Sequence, residues 1–304
     1  MNFIQQKFRL CMKILVTGSE SFVGRELISH CKDHKIQVVG IDSIRPENPE
    51  YEFHQKDIRS ENISDLIPSD IDALVHLAAL SRDQDCAGKA YDCFDINVMG
   101  TLNVIKAALK KNVKQFIFAS SEWVYNDFGL DEEKDEDSLI DIAKHTSEYA
   151  LSKLVSESNL REQFNRESNS ITILRFGIIY GPRKNNWSAV ESISNKVKNN
   201  DEVSVGSLKT GRRFIHVSDI ANGIIKSIGL DGFNIINLTA DDVITLNDII
   251  HETEMICNKK IKIIQTDSSG ISIRNPSNNK AKEMLNWKPE INLREGLKSI
   301  FDFI

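Results

Sequence analysis

Tyr149 and Lys153 stand four positions apart in a segment, residues 147–164, whose pattern predicts a helix. Side chains at this spacing lie one turn apart on the same helix face. A phenol has a pKa of about 10, and lowering that pKa by about three units requires about 4 kcal/mol. One unit charge about 4 Å away, at an effective dielectric constant of about 20, supplies about 4 kcal/mol. We therefore expect Lys153 alone to be about enough to make Tyr149 a general base, and an oxidised nicotinamide would add to its effect.

Ser121 ends a predicted strand that covers residues 114–121. A serine at the carboxyl edge of a sheet could hydrogen-bond the substrate hydroxyl from which Tyr149 takes a proton, while the hydride passes to a nicotinamide. The alternative is that Tyr149 and Lys153 form only a helix-surface pair, because a Tyr-x-x-x-Lys spacing often arises by chance. The motifs elsewhere in the chain favour the catalytic interpretation.

Gly18 and Gly24 stand where a short apolar strand, residues 14–16, turns into a helical pattern. Such a turn leaves the first N–H groups of the helix without partners, and these groups attract a phosphate. Gly18 would allow the tight turn and Gly24 the close packing of helix on strand. Two glycines at such a junction often mark only a turn, and the central glycine is replaced here. The residues expected to meet the cofactor between the glycines are Ser21, Phe22 and Val23.

Asp42 ends the second predicted strand, 24 positions after Gly18. An acid at about this distance from a glycine turn can accept both ribose hydroxyls of NAD, and it would repel the additional phosphate of NADP. Arg45 lies close by and could counter that repulsion, and Asp42 could also simply begin a turn. The balance favours NAD as the cofactor.

Helical patterns separate predicted buried strands at residues 14–16, 36–42, 71–79, 114–121 and 171–176. This alternation predicts an α/β fold with a doubly wound parallel (Rossmann) sheet. Beyond residue 176 the chain becomes more polar, which predicts a smaller, discontinuous α/β substrate lobe. The expected divisions are an N-terminal tail at 1–11, a dinucleotide-binding domain at 12–175 that also takes in 214–240, and a substrate-binding lobe at 176–213 and 241–304.

The chain has 304 residues and a net charge of −6, which argues against a general binder of nucleic acid or of an anionic membrane. No apolar run approaches the roughly 18 residues of a membrane span. Five scattered cysteines show no metal-ligand spacing, and they indicate reduced thiols in a cytoplasmic protein without a metal.

These motifs, taken together and in order, resemble the extended short-chain dehydrogenase/reductase family, in particular its NAD-dependent nucleotide-sugar epimerase/dehydratase branch. The resemblance covers about residues 12–300. It rests on the following residues: Thr17, Gly18, Gly24, Asp42, Asp57, Ile58, His76, Leu77, Ala78, Ala79, Asn97, Ser120, Ser121, Val124, Tyr125, Tyr149, Lys153, Leu174, Arg175, Tyr180, Gly181 and Pro182, then 212–217, Asp219 and 281–289.

The resemblance implies roles for individual positions. It implies a catalytic triad of Ser121, Tyr149 and Lys153, and a homodimer formed through the helix with Tyr149 and the helix that begins at Asp95. His76 lies within an apolar run and is expected to be structural. Further cofactor contacts are implied for Asp57 and Ile58 near the adenine, Ala78 near the nicotinamide, and Leu77, Ala79, Asn97, Tyr149 and Lys153. Substrate contacts are implied for Ser81, Ser121, Arg212 and Arg274, of which the two arginines would hold a diphosphate.

Three positions depart from the family pattern. Ser21 replaces the central glycine, and Ile178 stands where many sugar epimerases have an asparagine. Glu122 and Trp123 only partly resemble the acid/base pair of 4,6-dehydratases. Glu122 could be a catalytic acid, a substrate contact or a local hydrogen-bonding group, whereas Trp123 stands where the second carboxylate is needed.

The sequence thus predicts an NAD-dependent oxidoreductase that acts on a nucleotide-diphosphate sugar. It would oxidise a hydroxyl, at C4 by preference, as an epimerase or a 4-dehydrogenase. The alternatives are an NADPH-dependent keto-sugar reductase, a 4,6-dehydratase, which Trp123 disfavours, and a cofactor-binding sensor without turnover.

Overall fold

The computed structural model describes residues 12–167, 169–184 and 188–303. The predicted tail at 1–11, together with Cys11, lies outside the described residues. Within the described part, no helix is both long and apolar enough to cross a membrane.

Among the described residues, a parallel sheet of seven strands forms the centre of the molecule. Its strands, in spatial order, are β11 Phe233–Leu238, β6 Ser170–Phe176, β5 Gln115–Ser121, β4 Ala73–His76, β1 Lys13–Thr17, β2 Gln37–Asp42 and β3 Glu52–Gln55. Strands β1 to β6 follow the doubly wound order, which reverses between β1 and β4. The remaining strands are short and form small sheets outside the central one: β7 Ile179–Tyr180, β8 Glu202–Val205, β9 Gly211–Arg212, β10 Ile215–His216, β12 Ile244–Thr245, β13 Lys262–Gln265 and β14 Ile273–Arg274.

Helices connect these strands and cover both faces of the sheet. The α-helices are α1 Phe22–Asp33, α2 Asp83–Cys86, α3 Ala90–Phe94, α4 Gly100–Lys110, α5 Glu148–Arg166, α6 Ala189–Asn199, α7 Val217–Ser227, α8 Leu246–Cys257, α9 Asn279–Leu285 and α10 Leu293–Phe303. Shorter helical segments are the 3₁₀ turns Ile63–Leu66, Glu122–Tyr125 and Ile142–Lys144, and the π-helix Asp95–Met99.

Two hydrophobic clusters pack on opposite faces of the sheet. On one face, Leu27 of α1 and Ile224 of α7 contact buried strand residues such as Val16. On the other face, Val104 of α4 and Leu160 of α5 contact buried strand residues such as Leu15. The doubly wound α/β fold predicted from the sequence is therefore confirmed.

A third hydrophobic cluster lies in the second lobe, and it draws on two separate stretches of the chain. Val190 and Val197 come from α6, whereas Ile249 of α8 and Leu297 of α10 come from the last quarter of the chain. The stretch between them returns to the main sheet, because β11 pairs with β6. The second lobe is thus discontinuous, as predicted.

Candidate active site

The glycine turn between β1 and α1 is packed too tightly for side chains at its two glycines. Gly18 has a φ of +74°, and a Cβ there would lie 2.6 Å from the backbone nitrogen of Ala78. A Cβ on Gly24 would lie 2.3 Å from the carbonyl oxygen of Gly18. The N–H groups of Phe22 and Val23 open α1 and have no partner within the helix, so they are available to a phosphate group.

Ser21, the departure from the glycine pattern, is the N-cap of α1. Its hydroxyl accepts a hydrogen bond from the backbone N–H of Gly24 at 3.0 Å. The replacement therefore stabilises the helix end that is predicted to bind the pyrophosphate.

Asp42 lies at the carboxyl end of β2 and holds the backbone around the predicted ribose position. One carboxylate oxygen accepts from the N–H of Glu20 at 2.9 Å, and the other accepts from the N–H of Ile44 at 2.9 Å. Each carboxylate oxygen can accept more than one hydrogen bond. Asp42 therefore shapes its own turn and keeps acceptor capacity for two ribose hydroxyls.

Asp57 and Ile58, the predicted adenine contacts, are held by one arginine and one close helix. Arg59 donates to both carboxylate oxygens of Asp57, at 3.0 and 2.6 Å, and also to Asp95 at 2.6 Å. The guanidinium keeps the pKa of Asp57 below its ordinary value. Ile58 is buried and packs so close to Gly100 of α4 that a Cβ there would lie 2.5 Å from its side chain.

Asn97 connects the loop after β4 to the helix that carries Tyr149. Its side chain accepts from the N–H of Leu80 at 2.8 Å, and it donates to the carbonyl of Leu80 and to the Ser152 hydroxyl, both at 3.0 Å. This loop follows Leu77, whose N–H donates to the carbonyl of Thr17 at 2.9 Å. Asn97 thus fixes the backbone of the loop that contains the predicted contacts Ala78, Ala79 and Ser81, of which Ser81 is exposed.

Tyr149 and Lys153 lie on the buried face of α5, and Ser121 lies opposite them at the end of β5. Burial raises the pKa of Tyr149 to about 12, and the effect outweighs a lowering by the nearby Ser121 hydroxyl. Burial also lowers the pKa of Lys153 to about 8. The structure therefore brings all three predicted triad residues together.

The expectation that Lys153 alone lowers the pKa of Tyr149 is wrong for the protein by itself. The ammonium of Lys153 donates to the carbonyl of Ala119 at 2.7 Å and lies 4.8 Å from the Phe118 ring centre. It is 6.0 Å from the centre of the Tyr149 ring. The four-residue spacing gave the correct helix face, but the ammonium is directed to the Ala119 carbonyl, and burial opposes ionisation of the phenol more than the Ser121 hydroxyl favours it.

His76 is structural, as expected. It is buried, its ring nitrogens contact the hydroxyls of Thr17 at 2.6 Å and Thr101 at 3.0 Å, and burial lowers its pKa to about 3. A neutral imidazole at this position links β1, β4 and α4 beneath the predicted nicotinamide region.

Glu122 and the two predicted diphosphate arginines form one cluster. Strands β9 and β14 pair in parallel and place Arg274 beside Arg212. Arg274 donates to the Glu122 carboxylate at 3.2 Å and to the Glu122 carbonyl at 3.0 Å. The Arg274 guanidinium also lies 5.2 Å from the Trp123 ring centre. The predicted substrate arginines are therefore adjacent, and Glu122 connects one of them to Ser121.

A second buried carboxylate, Glu157, is a positioning residue that sequence reasoning missed. It lies one helical turn after Lys153, and its two oxygens accept from Arg175 at 3.0 and 2.7 Å. The Ser120 hydroxyl also donates to it, and Arg175 continues to the Tyr125 hydroxyl at 2.9 Å. The available signal was a glutamate at helical spacing within the apolar face of α5.

These features define a dinucleotide-dependent oxidoreductase of the short-chain dehydrogenase/reductase type. They are the sheet order, the glycine turn, the acid that ends β2, and the buried tyrosine and lysine. Comparison with known proteins agrees with this class. The chain belongs to the NAD dependent epimerase/dehydratase family, whose model matches residues 14–238. Its cofactor is accordingly NAD.

Relatives act on several sugars. A 4-epimerase of N-acetyl-α-D-glucosaminyl-diphospho-ditrans,octacis-undecaprenol from Escherichia coli O157:H7 is 30% identical over 82% of this chain and 73% of its own length. A UDP-glucuronate 4-epimerase from Thermodesulfobacterium geofontis is 26% identical over 93% of both chains. The solved UDP-glucose 4-epimerase of Thermotoga maritima, with UDP-glucose, has a TM-score of 0.85 at 22% identity and covers 96% of this chain and 98% of its own.

Proposed function

We propose that this protein is an NAD-dependent 4-epimerase of a sugar linked to a nucleoside diphosphate, with a UDP-sugar as the first candidate. The family membership and the 4-epimerase names of its relatives support the reaction class. The observation that carries the proposal is the placement of Tyr149, Ser121 and Lys153 together at the carboxyl end of β5.

Two side chains, Tyr149 and Ser121, act on the proton of the reacting hydroxyl. Tyr149 takes that proton as general base, and the Ser121 hydroxyl hydrogen-bonds the same substrate oxygen. When bound, NAD accepts the hydride and adds the positive charge of its oxidised ring. That charge is needed, because burial holds the pKa of Tyr149 at about 12 in the protein alone.

The glycine turn and Asp42 support the placement of the cofactor. The open N–H groups of Phe22 and Val23 would hold the pyrophosphate, and the half-buried Asp42 would accept the ribose hydroxyls. The same carboxylate disfavours the phosphate of NADP, so a keto-sugar reductase that uses NADPH is the weaker alternative.

The arginine pair supports a diphosphate in the substrate. Arg212 and Arg274 stand opposite each other on paired strands of the second lobe, and the charges of both act on Glu122. Two arginines at one place suit two adjacent phosphates. A 4,6-dehydratase is less well supported, because Trp123 is not an acid and Glu122 is bound to Arg274.

The proposal extends to assembly and location. A homodimer through α5 and the helix that begins at Asp95 is supported by Met99, which lies on the second of these helices and is 56% exposed. The dinucleotide-binding domain would span 12–175 with 214–240, and the substrate lobe the remaining described residues. Free, buried thiols at Cys31, Cys86 and Cys93 support a reducing, cytoplasmic location.

The experiment that tests this function is the replacement Tyr149→Phe, assayed by interconversion of UDP-glucose and UDP-galactose. We expect turnover to fall by roughly 10²- to 10⁴-fold because the proton acceptor is lost. NAD released from the denatured variant should equal that of the wild type. Tyr91→Phe is the control, since it removes the same hydroxyl from a ring that is 83% exposed. Near wild-type turnover of Tyr149→Phe would show that Tyr149 is not the base.

A further inference from the structure

The carboxylate of Glu122 is buried next to the reacting residues and is only half satisfied. The residue follows Ser121 directly, and 1% of its surface is exposed. Its Oε1 accepts from Arg274 at 3.2 Å, whereas its Oε2 has no hydrogen-bond partner anywhere in the described ranges. A buried carboxylate oxygen without a hydrogen-bond donor destabilises the folded state. Its presence beside Ser121 therefore calls for a functional explanation.

Two arginines, Arg274 and Arg212, supply the positive charge around this carboxylate. Arg274 is shared between the Glu122 side chain and the Glu122 carbonyl. Arg212 donates to the carbonyls of Gly211 and Ser272 at 2.7 and 2.6 Å. Two guanidinium charges therefore face one carboxylate before any substrate arrives.

A bound diphosphate reverses the net charge of this cluster, which is positive when only Arg212, Arg274 and Glu122 are counted. Two phosphate charges and Glu122 together already exceed the two positive charges of Arg212 and Arg274. A sugar acid would add another carboxylate close to Ser121, beside Glu122, where like charges repel strongly because water is excluded. A hydroxyl or amide N–H of a neutral sugar would instead supply the donor that Oε2 lacks.

We propose that Glu122 is a specificity-determining residue that makes this site select neutral sugars and reject uronates. Its Oε2 accepts a hydrogen bond from a hydroxyl or acetamido N–H of the sugar. The inference rests on the proposed function, since it assumes that a nucleotide sugar lies between Ser121 and the arginine pair.

The test compares three ligands that share one nucleotide. Binding of UDP, UDP-glucose and UDP-glucuronate to the NAD-loaded protein is measured by titration calorimetry for the wild type and for Glu122→Gln. We expect the wild type to bind UDP-glucose at least about 10-fold more tightly than UDP-glucuronate, a difference of about 1.4 kcal/mol. In Glu122→Gln that preference should fall to about 3-fold or less, because the repelling charge is gone.

Two further variants control for charge and fold. Glu122→Asp keeps the negative charge and should keep most of the preference for the neutral sugar. Glu162→Gln makes the same chemical change at an exposed helix position, where the carboxylate is 55% exposed, and should leave the preference unchanged.

The possible outcomes distinguish a failure of the role of Glu122 from a failure of the proposed 4-epimerase function. If UDP and both UDP-sugars fail to bind the wild type, a UDP-sugar is not the substrate, and both the proposed function in that form and the inference about Glu122 that rests on it are wrong. If UDP binds but the wild type accepts UDP-glucuronate as tightly as UDP-glucose, the role of Glu122 is wrong and the function stands. The wild-type measurement decides this even if Glu122→Gln does not fold. An unchanged preference in a folded Glu122→Gln protein also overturns the inference.

Discussion

Two buried carboxylates, Glu157 and Glu122, each face an arginine, but only one of them is completely hydrogen-bonded. The two oxygens of Glu157 accept three hydrogen bonds, from Arg175 and Ser120. Glu122 accepts one at 3.2 Å, and burial raises its pKa above the ordinary value. A buried charge that is fully bonded stabilises the fold only as long as its partner remains. One that lacks a partner beside a reacting group is better explained by a ligand.

Replacing Glu157 by glutamine should have the largest effect on stability. The substitution leaves the Arg175 guanidinium, whose side chain is 4% exposed, without its counter-charge. We expect the free energy of unfolding in urea to fall by about 3–5 kcal/mol. A variant as stable as the wild type would mean that the two buried pairs do not differ as described.

Glu122→Gln should change the free energy of unfolding by only about 1 kcal/mol at neutral pH. The substitution removes the ion pair with Arg274, but it also removes a buried negative charge that is incompletely hydrogen-bonded. Arg274 also keeps its bond to the carbonyl of residue 122.

The pH dependence sharpens this prediction. Since the pKa of Glu122 is raised by burial, the folded state binds its proton more tightly than the unfolded state, whose pKa is near 4.5. The wild type should therefore lose stability relative to Glu122→Gln as the pH rises above about 4.5. Parallel urea titrations across this range would measure the difference, and a difference that grows with pH in favour of the wild type would contradict the raised pKa.

Glu162→Gln provides the smallest effect and the baseline for the comparison. Glu162 pairs with Arg166 at 2.7 Å along α5, but the two side chains are 55% and 67% exposed. Solvent screens such a pair, so we expect a loss of less than about 0.5 kcal/mol. A loss close to that of Glu157→Gln would show that the amide substitution itself, and not burial, determines the effect.

The sequence predicted those features that depend on consecutive residues. The apolar runs gave β1, β2, β4, β5 and β6, and the glycine spacing gave the turn into α1. The four-residue spacing gave the shared buried face of Tyr149 and Lys153. Each of these depends on local periodicity, which a single sequence contains in full.

Features that depend on distant partners were not predicted. Strand β3, Glu52–Gln55, is polar and short, and it forms only by pairing with β2. Helix α6, Ala189–Asn199, was missed because it lies within a longer polar stretch that is rich in Asn and Lys, although Val190, Ile193 and Val197 have helical spacing. Ionisation of Tyr149 was misjudged because a sequence spacing gives neither the depth of burial nor the direction of a lysine ammonium.

The side chain of Asn97 has a mechanical consequence. It ties the Leu80 backbone to Ser152 of α5, so the loop beside the predicted nicotinamide region and the helix with the reactive phenol are expected to shift as one rigid unit. The site must therefore open for a sugar nucleotide on its other side, by movement of the short strands β9 and β14, which contain Arg212 and Arg274. We expect amide hydrogen exchange to be slow in the loop around Leu80 and in α5, and fast in β9 and β14.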